Sequence, residues 1–348
     1  MTGTQKRQEC LFWVYVAVFI AVIIWLGSLI FSKKQNDVEI LRFAHVYEVA
    51  HPLHEGALKV AEDVAAQSGG RVQIQVFPAS SLGKETALNE ALTLGIVDII
   101  YTGTGFAGSS YGPISMTDFP YTLRNLDHWR SYKNSDLFQE LSEGYKSATH
   151  GNEVAAISYF GTRQMLADRP ILTPQDMKNM KIRVPNAPAY VMFPKVVGAN
   201  PAPIAFSEAY LALQQGVVDG LESPLQVFQA KRFFEVRDHI SLTSHIINST
   251  LTIASGKRLE ELGEVDRDIV RKNLLSSADW VTEQVELTEL EMVNWFKDQG
   301  ISIHEVDTKP FRDAVLPELS KPGMPFPSDI FARLQAVPDF EIGGEANE

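Results

Sequence analysis

The phrase Ala-Leu-x-x-Gly-x-Val-Asp occurs twice in this chain, as ALTLGIVD at 91–98 and ALQQGVVD at 212–219, 121 residues apart. Each copy reads as a helix that ends in glycine and feeds a short apolar strand, because glycine accepts the left-handed conformation that closes a helix. The flanks match as well. Before the first copy come a buried strand, ILRFAH (40–45), a helix over 54–68 with a stripe of Leu58, Val60, Ala61, Val64 and Ala65, and the alternating strand VQIQVFP (72–78). A second helix over 85–94 then runs through Gly95 into the strand IVDIIY. Before the second copy, MKIRVP (180–185) reads as a strand, 187–197 as a helix and NPAPIAF as a strand or turn. There, 207–215 reads as a helix capped by Ser207 and ended by Gly216, leading into the strand VVDGLES. One β-α-β grammar written twice predicts two similar α/β lobes.

Between the copies, NEVAAISY (152–159) is a further strand that leads into GTRQ. After them, 261–299 is a long, mostly helical tract, ISIHEV (301–306) is a strand, and a terminal helix precedes a Pro/Gly-rich tail. Late segments that return to both lobes imply a hinge and an inter-lobe cleft. Residues 37–160 with about 249–288 make the first lobe, and 161–248 with about 289–340 the second. Residues 1–36 precede them as a cytoplasmic start, a membrane anchor or signal, and a tether.

Within that leading piece, Leu11–Phe31 carries no charge over 21 residues. As a helix it is roughly 30 Å long, the thickness of a bilayer core, which predicts one N-terminal transmembrane helix in an inner membrane. Lys6 and Arg7 precede it, so the remainder lies outside the cytoplasm. A cleaved signal is the alternative, although its apolar stretch is normally about 7–15 residues.

Composition removes several function classes. A formal charge of −12 argues against a nucleic-acid partner, which requires clustered Lys and Arg. Cys10 is the only cysteine, so the chain has no intrachain disulfide, cysteine zinc site or CxxC redox pair. His51 and His54 are spaced i, i+3 but lack the third ligand of a zinc signature, and GTGFAG (103–108) lacks the lysine that ends a phosphate loop. No cofactor is implied, no enzyme motif is complete, and a monomer suffices.

Ligands of open α/β sheets sit beyond the carboxyl ends of strands. Arg163 follows the NEVAAISYF strand, and Arg183 interrupts the apolar strand MKIRVP. A guanidinium inside an apolar strand is costly to bury unless an anion meets it. Either Arg183 faces an anionic ligand or it turns to solvent or to an internal acid. Glu222 and Ser223, at the end of the repeated phrase, could accept and donate hydroxyl hydrogen bonds, and Phe206 could pack on a carbon skeleton.

Residues 160–236 resemble the solute-binding proteins of TRAP (tripartite ATP-independent periplasmic) transporters, on the spacing of GTRQ, KIRVP and AFSEAYLALQQGVVDG. The similarity continues more loosely through most of 40–320. It implies a two-lobed α/β periplasmic-binding-protein-like fold and an extracytoplasmic receptor that closes on an organic acid, favouring a sugar acid or other monocarboxylate, and delivers it to the membrane subunits of a TRAP permease for ion-coupled uptake. By resemblance, Arg183 is the carboxylate-binding arginine, Arg163 a second pocket arginine, Phe206 an aromatic packing on ligand and Glu222 part of the pocket wall. The resemblance also brings in the first-lobe stretches 45–48 and 101–106, with Val46, Glu48 and Tyr101 as candidates. Ser223 stands where the family usually has Asn, which removes one amide donor and one carbonyl acceptor. A ligand-binding sensor of another two-lobed family shares the same cleft physics and is the alternative.

Overall fold

The computed structural model describes residues 13, 15–25 and 38–340. Its centre is one nine-stranded sheet: β1 (Glu39–Ala44), β2 (Val72–Phe77), β3 (Ile99–Gly103), β4 (Asn152–Ala167), β5 (Lys181–Val184), β6 (Asn200–Pro203), β7 (Gly220–Pro224), β8 (His239–Ser255) and β9 (Ser302–Glu305). The order is β2-β1-β3-β8-β4-β7-β5-β6, with β9 beside β8.

Two long strands join two halves. β3 pairs with the 250–254 end of β8, and β7 pairs with the 163–167 end of β4. Along their own antiparallel ladder β4 and β8 slip register three times, once between Tyr159 and Gly161. Gly161 has φ of +111°, which only glycine adopts without strain, and a Cβ there would meet Gln226 Nε2 at 2.5 Å.

The repeated phrase gives the same structure in both halves. The helices used below are α1 (Pro52–Gln67), α2 (Glu85–Thr93), α3 (Pro188–Val196), α4 (Ala209–Gln214), α5 (Leu225–Ala230) and α6 (Glu264–Asp298). At the end of α2 the Ile96 N–H donates to Ala91 O at 2.8 Å, and at the end of α4 Val217 donates to Ala212 O at 2.9 Å. Gly95 (φ +71°) and Gly216 (φ +67°) turn each helix end. The aspartates then do identical work: Asp98 Oδ2 accepts the Arg42 N–H and Asp219 Oδ2 accepts the Lys181 N–H, each at 2.7 Å. Each phrase therefore ties a strand to its parallel neighbour, β1 or β5.

Several elements differ from the sequence pattern. The turn consumes residues 96–98 and 217–219, so β3 and β7 begin later than their apolar runs suggest. α1 starts earlier than the pattern suggests, with His51 capping it through its ring and Pro52 opening it, and its buried face is Leu53, His54, Gly56, Ala57, Val60 and Val64, while Leu58 is exposed. Ser207 caps nothing, since a 3-10 turn over Phe206–Glu208 precedes α4. β4 continues through GTRQ, held at Thr162 by an N–H donated to Glu289 Oε1 of α6 at 2.7 Å. Of the expected membrane segment, residues 13 and 15–25 are helical and almost all exposed, while 11, 12, 14 and 26–31, together with Cys10, lie outside the described residues. Among the described residues no helix is long and apolar enough to cross a membrane.

Candidate functional site

The carboxyl ends of the parallel strands converge on a cavity of about 200 Å³ between the halves. β1 runs out into Val46 and Tyr47, β3 ends at Gly103, β5 supplies Arg183, and β7 supplies Ser223. The crossing strands add Phe160 and Arg163 from β4, and Asn248 and Ser249 from β8.

The two arginines are in opposite electrostatic situations. Arg163, 3% exposed, forks onto Glu222, with Nη2 2.9 Å from Oε1 and Nε bonded to Oε2. Its Nη1 donates to Asn248 Oδ1 at 2.8 Å, and its guanidinium lies 4.8 Å from the Tyr190 ring centroid. Burial works against its charge, yet the Glu222 carboxylate outweighs that and holds the guanidinium pKa above its ordinary value. Glu222, which burial would raise, is held lower by Arg163 and by the hydrogen bond with His245.

Arg183 has no such partner. It is 2% exposed, lies on an interior strand between β6 and β7, and donates Nε to Ile204 O at 2.9 Å. Among the described residues no carboxylate comes within ion-pair distance, and the terminal nitrogens donate to no protein acceptor. Burial lowers its pKa from 12.5 to about 10, with Arg163 pushing the same way and Glu222 resisting. A buried fork of N–H donors that faces a cavity and meets no protein carboxylate among the described residues suits an anionic ligand.

A buried network links the halves beneath the arginines. Asp118 accepts from Gly105 N and Tyr190 Oη, each at 2.6 Å, and from Asn248 Nδ2 at 2.5 Å. At the rim, Glu48 pairs with Lys231 at 2.7 Å and Lys84 with Glu208 at 2.5 Å. Lys231 also sits 5.0 Å over the Phe206 ring.

Arg183, Arg163, Phe206, Ser223 and Val46 thus share the cavity lining, but three other candidates do not. Glu222 is behind Arg163, its oxygens occupied by that arginine and by His245 at 3.3 Å. Glu48 faces Lys231. Tyr101 lies outside the cavity lining, its ring packed in the core against Phe43 and its hydroxyl bonded to Ser277 of α6. Glu85, Tyr47, Phe160, Tyr190 and Asn248 line the cavity without having been singled out. For Glu85 the signal was its place at the start of α2, the helix that follows the carboxyl end of β2 after the 78–84 turn. Its carboxyl accepts from Gly103 N at 2.7 Å and Thr102 Oγ1 at 3.0 Å, and burial pushes it up to about 7 against those bonds.

Two α/β halves, joined by crossing strands and closed over a buried guanidinium, define a solute receptor of the periplasmic-binding type. Residues 43–322 match the family described as bacterial extracellular solute-binding protein, family 7 (DctP), and the chain belongs to that family, the solute-binding proteins of TRAP transporters. It is 33% identical over 286 residues to the sialic acid-binding periplasmic protein SiaP of Vibrio cholerae, covering 82% of this chain and 89% of that protein. It is 28% identical over 305 residues to the 2,3-diketo-L-gulonate-binding periplasmic protein YiaO of Escherichia coli, covering 86% and 90%. Among solved structures, a TRAP solute-binding protein from Polaromonas with bound D-erythronate superposes with a TM-score of 0.81 at 28% identity, covering 86% of this chain and 99% of that one. The work of such a protein is binding rather than turnover.

Proposed function

We propose that this receptor holds a small sugar acid or related monocarboxylate in the arginine cavity, with the ligand carboxylate on Arg183, and presents it to TRAP permease subunits for ion-coupled uptake. The observation that carries this reading is the Arg183 fork, buried, unpaired and facing the cavity. Arg163 assists as a pre-set wall whose charge is already met by Glu222. Ser223 offers only a hydroxyl at its position, so the carboxylate depends more heavily on the guanidinium. Relatives support the ligand class: the Polaromonas protein holds D-erythronate, and one from Roseobacter denitrificans, 26% identical, holds L-galactonate.

The two lobes divide at residues 160/161 on β4 and 248/249 on β8, beside the Gly161 irregularity, and they close because the ligand touches both at once. Residues 11–31 anchor the chain in the inner membrane, which keeps the receptor near its permease at high effective concentration. Calorimetry of aldonates and uronates against the wild type, Arg183→Ala and Arg183→Lys tests the site. Both variants are expected to lose at least about tenfold, since charge-assisted hydrogen bonds contribute about 1.5–3 kcal/mol and lysine lacks the planar fork. Unchanged affinity in both refutes the site. Fractionation of the full chain, compared with one starting at residue 37, tests the anchor.

A further inference from the structure

The cleft has a second chamber. A groove of about 520 Å³ lies between α2, the 105–110 segment and the start of α3. Thr86, Phe106 and Asn186 face both it and the arginine cavity. Chain direction orders the two spaces. On one wall Gly103 fronts the cavity and Gly105 the groove; on the other, Pro185 fronts the cavity and Ala187 the groove.

Of the three shared residues, Thr86 and Asn186 are exposed, whereas Phe106 is 9% exposed and packs into the core of the opposite half. Its ring centroid lies 6.2 Å from that of Tyr190. The backbone carrying it is fixed, because Gly105 N donates to Asp118 at 2.6 Å. Even a Cβ at Gly105 would come within 2.9 Å of the Tyr190 ring. A ring seated this tightly does not swing aside for a ligand, since packed interiors resist displacement.

We infer that Phe106 is a specificity-determining residue: its ring ends the binding cavity and limits the length of the acid held by Arg183, closing off a groove that a longer acid would otherwise enter. The inference rests on Arg183 as the carboxylate site. The cavity is small beside the about 300–1,000 Å³ usual for ligand pockets, which suits acids of about four to six carbons and excludes longer polyhydroxylated tails.

The test is calorimetry of D-erythronate, D-galacturonate and N-acetylneuraminate, whose sugar chain has nine carbons, against the wild type, Phe106→Ala, Phe106→Leu and Arg183→Ala. The wild type is expected to bind the two shorter acids and to discriminate against the longest. Phe106→Ala is expected to gain at least about tenfold for N-acetylneuraminate, the scale on which pocket size discriminates, with a smaller gain for Phe106→Leu. Two results overturn the inference: a wild type that binds N-acetylneuraminate as tightly as erythronate, or folded variants that still bind erythronate and show no gain for the long acid. Arg183→Ala that keeps its affinity removes the carboxylate reading separately, and a wild type that binds none of the three removes both.

Discussion

Arg183 and Arg163 are 20 residues apart in sequence and share one cavity, yet removing their charges is expected to move the ligand-free fold in opposite directions. Burial takes the Arg183 pKa from 12.5 to about 10. At about 1.36 kcal/mol per pKa unit, the charged form is therefore destabilised by about 3 kcal/mol in the folded state. That penalty is fully present below pH 10, hence at every physiological pH, and fades only as pH climbs toward 12.5. Arg183→Met removes the penalty and loses one hydrogen bond to Ile204 O, worth about 1 kcal/mol. The net gain is about 2 kcal/mol, which raises the melting temperature by about 3 °C for a protein of this size. Arg163→Met instead strands Glu222, 1% exposed, without its counter-ion and is expected to cost about 3–5 kcal/mol. The assay is thermal unfolding of both variants after bound ligand has been removed by unfolding and refolding. An Arg183→Met protein that melts below the wild type refutes the argument that this guanidinium is uncompensated.

Glu85 predicts a pH dependence: its folded pKa is raised to about 7, above the ordinary 4.5, so the folded state keeps a proton that the unfolded chain releases. Stability is expected to fall as pH rises from 4.5 to 7 and then level off, and Glu85→Gln is expected to flatten that window in thermal melts. Gly161→Ala places a methyl 2.5 Å from Gln226 Nε2 at φ +111°, and denaturant unfolding is expected to show a loss of about 1–3 kcal/mol. The rim ion pairs rank by exposure. Lys84→Met breaks a pair whose side chains are 53% and 52% exposed and is expected to change stability by less than about 1 kcal/mol, with Glu48→Gln, facing a Lys231 side chain 13% exposed, the more damaging in the same melts.

Much of the fold was legible because it is written twice. The glycine-ended helices and the strands after them follow from local rules that act within a dozen residues, whereas the Asp98 and Asp219 ties reach back 56 and 38 residues to Arg42 and Lys181. Arg183 was legible for a related reason, since a guanidinium among Met, Ile and Val on one strand breaks the apolar pattern visibly. What pattern could not supply was pairing at a distance. Glu222 read as a pocket acceptor because nothing within its own phrase reveals that Arg163, 59 residues earlier, occupies it. Glu48 was likewise taken by Lys231, 183 residues away. Tyr101 lies two residues short of Gly103, where β3 reaches the cavity, and nothing local reveals that its ring is taken up by the core against Phe43. Asn248 and Tyr190 carry no local signature; distant partners place them, Asp118 bonding both while Arg163 donates to Asn248 and lies over the Tyr190 ring.

The two crossing strands have a mechanical consequence. Because β4 and β8 run unbroken from one lobe into the other, the halves cannot slide past each other as independent bodies; any opening has to be absorbed as torsion in this ribbon. The irregular rungs near Gly161 are its compliant point, and α6, gripping Thr162 from behind, sets how far it can flex. Stiffening that ribbon, for instance by a cross-link between its strands, is expected to slow release more than it changes what is captured.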